Sequence, residues 1–330
     1  MSRIWLLEEI NDAHTMDADD FLRKYQDRTF DAWRIKRGRT LPSIQNLPQE
    51  FTSNKRIGEL DWREVNALAL QMQELKQRAS YSQDTAEIKI DTDKPVCIVG
   101  LSDTHILSWG TDHALLEEIT NEILETDGLY VALLGDLQQM SIKMRGVLEV
   151  SDNMFPPEIQ HRYLEAWLKE ISHKVLFATW DNHSAMREEE ASGYSRYSDI
   201  LKRNVIYHNG IGHPDVTIGD ETYKLAVTHA FPRRSQYNPC YGGVMYLMSH
   251  GHSREIAMSG DSHVPGISWF THGETPKLAT NAGTIQTNSG YAKRFFTLHT
   301  HPSFPAVILW PDKHHFEPVV SVKTWKQLYT

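Results

Sequence analysis

Five short apolar runs, each closed by polar residues of a particular kind, constrain this chain more than any other feature. Residues 96–101 lead to Asp103 and His105, 129–134 to Asp136, 175–178 to Asn182 and His183, 225–227 to His229, and 256–258 to Asp261 and His263. Apolar runs of four to eight residues read as buried strands. Helical stretches lie between several of them, so the pattern is α/β. In open α/β sheets, sites form where strands end and loops begin. An Asp after a strand is ordinarily a turn residue or helix cap, and a lone His is ordinarily structural. Five successive strand ends carrying metal-competent groups point instead to one shared crest.

Charge and cysteine content narrow the class. With 34 basic and 43 acidic residues the formal charge is −9, which excludes a uniformly basic nucleic-acid wrapper but not a local basic face. Cys97 and Cys240 are too few for a disulfide scaffold. Apolar runs such as 128–135 break far short of the roughly 20 residues of a membrane span. The N-terminus offers only Ile4, Trp5, Leu6 and Leu7 before Glu8 and Glu9, so no secretory signal is expected. These features predict a reduced, cytoplasmic protein. Histidine is the outlier, with 17 copies.

Three regions follow from composition. Residues 1–45 read as a tri-helical module: a short first helix at 4–7, a second at 17–25 with Asp17, Asp19 and Asp20 near its positive end, and a third at 30–39 capped by Thr29. Residues 46–93 read as a linker followed by a helix at 61–78, and 94–330 as the main domain. The third helix concentrates basic charge: Arg28, Arg34, Lys36, Arg37 and Arg39 stand against the single acid Asp31. A basic last helix in such a unit resembles helix-turn-helix or Myb-like DNA readers of phage and prophage proteins. Phe30, Trp33 and Ile35 fit a packing core better than base contacts.

The residues at the strand ends resemble, in order, the signature of calcineurin-like metallophosphoesterases. Asp103-Thr104-His105 is similar to the family's D-x-H, Gly135-Asp136 to its G-D block, Asn182-His183 to the core of G-N-H, His229 to the solitary histidine, and Gly260-Asp261-Ser262-His263-Val264-Pro265 to the closing G-H-x-H-V-P. The likeness covers about residues 94–310. It implies a four-layer α/β/β/α sandwich with two divalent metal ions at its crest. Asp103, His105, Asp136 and His263 would hold the first ion, and Asp136 would bridge to a second held by Asn182, His229 and Asp261. Carboxylate, amide and imidazole donors suit Mn²⁺ best, with Fe, Zn²⁺, Mg²⁺, Ni²⁺ or Co²⁺ as alternatives. His183 would protonate or stabilise the leaving oxygen of a phosphoester.

Four positions depart from that pattern. Asp261 replaces the first histidine of the closing motif, and Asp181 replaces the glycine before Asn182. Gln139 stands where Asn or Asp is usual, and Ser184 where an acid often follows the histidine. Arg145, Arg187, Arg233 and Arg234 lie downstream of the motif strands, where a guanidinium fork could meet phosphate. His250 and His252 lack a Val-Pro tail and read as loop. The expected activity is hydrolysis of phosphodiester bonds, with DNA as substrate and a phage or prophage origin if the basic helix reads DNA. A nucleotide or small-molecule phosphatase or cyclic-nucleotide phosphodiesterase is the alternative. A DNA-binding protein with a decayed phosphoesterase site is the third reading.

Overall fold

The computed structural model describes residues 12–13, 16–26, 61–79, 85–141, 152–235, 237–249, 253–287 and 302–329. The chain divides into two compact units, Met1–Arg78 and Ala79–Thr330. In the first, helix α1 (Ala18–Lys24) is capped by Asp17, whose carboxylate accepts from Asp20 N–H at 2.9 Å. Phe21 is fully buried, and the Asp12 carboxylate takes Lys24 Nζ and Tyr25 Oη, each at 2.7 Å. Helix α2 (Trp62–Ala79) opens on a capping box. Asp61 accepts from Arg63 and Glu64 N–H, and the Glu64 carboxylate accepts from Asp61 N–H. Its apolar residues Val65, Leu70 and Met72 are exposed. The first and third helices of the expected tri-helical module, with Arg28, Arg34, Lys36, Arg37 and Arg39, lie outside the described residues, as do Arg145, His250 and His252.

The second unit is built on two six-stranded sheets. One runs β1 (Thr85–Ile90), β6 (His213–Ile218), β7 (Glu221–Val227), β8 (Ile256–Ser259), β10 (Thr275–Asn281), β9 (Gly266–His272). The other runs β12 (Phe316–Val319), β11 (Ala306–Leu309), β2 (Val96–Leu101), β3 (Leu129–Leu133), β4 (Val175–Thr179), β5 (Tyr207–His208). Strands β2, β3, β4 and β5 are parallel to one another, as are β7, β8 and β10, while β11, β6 and β9 pair antiparallel with β2, β7 and β10. All five motif runs are strands here, ending within a residue of their apolar stretches. Strand β1 falls inside 46–93, the stretch read as linker and helix. Its outward half is polar, which suits an edge strand and hides it from a search for apolar runs.

Alternation along the strands sets the layers. Leu225, Val227, Ile256, Met258 and Leu278 of the first sheet belong to one continuous core cluster that also takes in residues from both faces of the second sheet, among them Ile98, Leu101, Val131 and Leu133. Their neighbours Ala226, Ala257 and Ala279 face the other way, onto Phe231, Cys240 and Leu247. Leu247 belongs to helix α7 (Tyr241–Ser249). Helices α3 (His113–Glu125), α4 (Pro157–Ile171), α5 (Ser184–Ser192) and α6 (Arg196–Asn204) cover the second sheet; Leu116, Ile123, Leu164, Leu168, Ile200 and Leu201 join its core. The result is the α/β/β/α sandwich. Each such side chain, fully buried, contributes about 1.5–3 kcal/mol relative to exposure. That packing holds the strand ends in place.

Candidate metal centre

Strands β2, β3 and β4 run parallel side by side, and so do β7 and β8, so their carboxyl ends gather along one edge. The residues placed there are backbone-strained. Asp103, His105, Asp136, Asp261 and His263 have φ of 53°, 43°, 49°, 70° and 58°. Non-glycine residues in this left-handed region cost about 1–3 kcal/mol each, and Asp and His tolerate it better than most. Summed, that strain is comparable to a whole domain's net stability, so the core beneath has to offset it. Two glycines make the turns possible. A Cβ on Gly135 would lie 2.7 Å from His229 Nδ1, and one on Gly260 would lie 2.0 Å from Ser102 Oγ.

Two groups of donor atoms result: Asp103, His105 and His263, and Asp103, Asp136 and His229, each with its ligand atoms within 4.8 Å of one another. In the first, His263 Nε2 is 3.2 Å from both Asp103 Oδ1 and His105 Nε2. Two donors bound to one ion at about 2.1 Å and 90–109° apart would be separated by about 3.0–3.4 Å, so this spacing fits a shared ion. The carboxylate common to both groups is Asp103. Asp136, expected from the motif resemblance to bridge, sits in the second group with its Oδ2 3.2 Å from His229 Nε2.

His229 shows what the second group requires. Leu134 O can only accept, so His229 Nδ1, 2.7 Å away, carries a proton. Its Nε2 makes no hydrogen bond and faces the Asp136 carboxylate. A lone pair against a carboxylate is repulsive, so a cation belongs between them, either a proton or a metal. This is the carbonyl-oriented histidine common behind metal ligands. The buried Asp103 Oδ1 and Asn182 Oδ1 also make no hydrogen bond. Leaving such atoms unsatisfied costs about 1–3 kcal/mol each, a cost that a bound ion removes.

Electrostatics agree with the geometry. Burial pushes the Asp136 carboxyl up, but the fields of His183, His229 and His105 outweigh it and hold the group well below the usual carboxylate range. Asp103 is likewise lowered against burial, chiefly by His263. His105 is held well below its ordinary value by burial and by His183 and His263, so it is neutral, as a ligand must be. His229 is raised well above its ordinary value: burial opposes this, and the Asp136 carboxylate overrides burial.

Asp181 and Asp261 have specific partners. Asp181 is fully buried; its Oδ1 accepts from Ser184 and Ala185 N–H at 2.6 and 2.9 Å, and its Oδ2 from Asp136 N–H at 3.1 Å. It therefore caps helix α5 and anchors the strained Asp136 backbone. Burial, then the Asp136 charge, pushes its carboxyl up to about 6. Asp261 lies with Oδ1 3.7 Å from His229 Nε2, beside the second group, but both its oxygens are held by Arg234 at 3.0 and 3.1 Å.

His183 Nε2 is 3.8 Å from Asp136 Oδ2 and 3.3 Å from Arg187 Nη2. Arginine has only donors, so Nε2 is the acceptor there. Gln139 and Ser184 do not enter the donor groups. Gln139 Nε2 donates to Ser141 Oγ, and Ser184 N–H to Asp181. The anchoring role of Asp181 and the clamp on Asp261 were not legible in sequence. Only the departures at 181 and 261 marked the places.

No family model matches the chain, and no curated protein sequence matches it. Solved structures to which it is similar include wild-type Vps29 of Entamoeba histolytica complexed with zinc (11% identity, 68% of this chain and 99% of that chain, TM-score 0.32). Another is a predicted phosphoesterase of Streptococcus pneumoniae (15% identity, 68% and 98%, TM-score 0.32). A third is the calcineurin-like phosphoesterase YfkN of Bacillus subtilis (10% identity, 70% and 92%, TM-score 0.37).

Proposed function

We propose that this chain is a metal-dependent phosphoesterase that hydrolyses phosphodiester bonds, with Asp103, His105, Asp136 and His263 holding one divalent ion and Asn182, His229 and Asp136 contributing to a second. The observation that carries this reading is the donor spacing of 3.2 Å at the first group, together with buried donor atoms that lack hydrogen bonds. The carboxylate–imidazole–amide set fits Mn²⁺ and its hard or borderline neighbours. When bound, such ions polarise the phosphoryl oxygens and lower the pKa of water.

The chain's own residues do the rest. Asp181 holds Asp136 N–H, and Leu134 O orients His229. Arg187 and His183 stand together at the edge of the second group. With a phosphate bound, the Arg187 fork pairs with its oxygens. His183 Nε2, released from Arg187, then takes up a proton and delivers it to the leaving oxygen.

DNA as the substrate is supported by the basic run at Arg28, Arg34, Lys36, Arg37 and Arg39. A nucleotide or small phosphoester is supported equally by a cavity of about 270 Å³ beside Asp261, lined by Phe231, Arg234, Ser262 and Asn281. A decayed site accords poorly with five strained donor positions held together, Asp103, His105 and Asp136 among them buried. The test is Mn²⁺-dependent hydrolysis of bis-p-nitrophenyl phosphate, single- and double-stranded DNA, and a nucleoside monophosphate. Turnover that Asp136→Ala abolishes is expected, and the preferred substrate separates the nuclease from the small-molecule enzyme. Absence of turnover with Mn²⁺, Mg²⁺, Zn²⁺, Co²⁺ and Ni²⁺ alike would overturn the reading.

A further inference from the structure

We infer that Arg234 competes with the second cation for Asp261, and that cation binding frees the Arg234 guanidinium to receive a phosphate at the adjoining cavity. This rests on the metal-dependent reading above and concerns how that site is loaded.

Three observations converge. The Asp261 side chain is 10% exposed and its Oδ1 is 3.7 Å from His229 Nε2, so it borders the second donor group directly. Its backbone N–H donates to Asp103 Oδ2 at 2.9 Å and its φ is 70°, so the turn holds its Cβ beside the second group. Both its oxygens are nevertheless occupied by Arg234, in a fork-to-carboxylate pair. A cation at the second group would draw on this same carboxylate and would repel a guanidinium beside it. The two positive groups therefore exclude one another.

Charge accounts for why the substitution can be tolerated. Asp261 and Arg234 together carry no net charge, as a neutral histidine at position 261 would. The second group thus meets the same total charge until the pair opens. Once it opens, Asp261 adds a full negative charge to the cation site, and Arg234 becomes available. Arg234 is 69% exposed, on the short loop after β7, so it can move without disturbing the core.

The cavity it borders has Arg234 and Asp261 as its charged lining residues among those described. The polar amide in its wall is already committed: Asn281 Nδ2 donates to Ser262 Oγ and Val264 O, and its Oδ1 accepts from Ser259 Oγ. The released guanidinium is therefore the group on that wall suited to a phosphate oxygen. Cation binding and phosphate binding become coupled through one side chain.

Calorimetric titration of Mn²⁺ into the metal-free full chain tests this without reference to turnover. Arg234→Gln is expected to tighten the weaker binding step about 3- to 10-fold, the range of a partly exposed ion pair removed from competition, and to leave the tighter step within about twofold. In an Asp261→Asn background the same change should have no effect, as a double-mutant cycle requires. Titration of inorganic phosphate into the Mn²⁺-loaded protein should show affinity lowered about tenfold by Arg234→Gln. A weaker step that is unchanged or weakened by Arg234→Gln, or an equal effect with and without the Asp261 carboxylate, overturns the inference while leaving the metal reading intact. Absence of any Mn²⁺ binding by the wild-type chain overturns both.

Discussion

Around Asp103, His105 and His263 the donor atoms face one another at 3.2 Å. In the other half Asp136 Oδ2 and His229 Nε2 are also 3.2 Å apart, yet the neighbouring Asp261 carboxylate is clamped by an arginine and a further buried carboxylate, Asp181, holds the Asp136 N–H. Both halves stand on the same strand ends and share Asp103. The difference lies in what surrounds them. Donors preorganised on strained backbone, with no arginine clamped onto their carboxylate, bind an ion at little reorganisation cost. A half that must first release Arg234 binds more weakly and becomes adjustable. One crest can therefore carry one firm position and one conditional one.

The largest expected effect breaks the firm half. His263→Ala or Asp103→Ala should lower Mn²⁺-dependent kcat on bis-p-nitrophenyl phosphate on the order of 10³-fold or more, since several kcal/mol of transition-state stabilisation is at stake. Calorimetry should show the tight Mn²⁺ step gone in the same variants. Either variant keeping that tight step would erase the distinction between the halves.

His183→Ala should cost about 10²- to 10³-fold in kcat while leaving both metal steps in place. The loss should be smaller for a p-nitrophenolate leaving group, which needs no proton, than for an alkyl ester. A uniform loss across leaving groups would move His183 from proton delivery to a purely positioning part.

Asp181→Gly, which restores the residue type of the family pattern, removes three backbone anchors. It should lower unfolding stability by about 2 kcal/mol or more, read by urea titration of the metal-free protein. It should also weaken Mn²⁺ binding at both positions, since Asp136 is a ligand to each ion and its strained backbone loses a hydrogen bond. Stability unchanged in Asp181→Gly would show that the carboxylate is not an anchor.

The smallest effect lies behind the second half. Glu188 is buried in helix α5 and accepts from Ser195 Oγ and Tyr197 N–H while paired with His161 at 2.7 Å. Burial pushes its carboxyl up, but the His161 interaction and the hydrogen bonds from Tyr197 N–H and Ser195 Oγ together outweigh this and leave it below its ordinary value of 4.5. Its folded-state pKa is thus depressed, so its contribution is present above about pH 4.5 and lost as pH falls through the folded value. Glu188→Gln should cost about 1 kcal/mol at neutral pH and flatten the acid limb of the stability curve. An unaltered acid limb would remove Glu188 from that account.

Much of the crest was legible in sequence because its order is local. Each motif residue lies a few positions beyond an apolar run, and an apolar run of that length has few choices other than a buried strand. That logic puts Asp103, His105, Asp136, Asn182, His183, His229 and His263 just beyond strand ends, and those strands are present in the structure. It passed over β1, because an edge strand with a polar outer half has no apolar run to find. The family resemblance also implies Asp261 as a ligand of the second ion, without the Arg234 clamp, and gives Asp181 no role.

The chain's sequence, then, determined the strands, their ends and the chemical type of every group at those ends, since hydrophobic periodicity and turn residues act over a few positions. Only the tertiary structure decided what each carboxylate does. Arg234 reaches Asp261 from 27 residues away, and Asp181 reaches the Asp136 N–H across 45. Those pairings follow from the packing of two sheets and the left-handed backbone at the strand ends, which aim side chains in directions that spacing along the chain does not record.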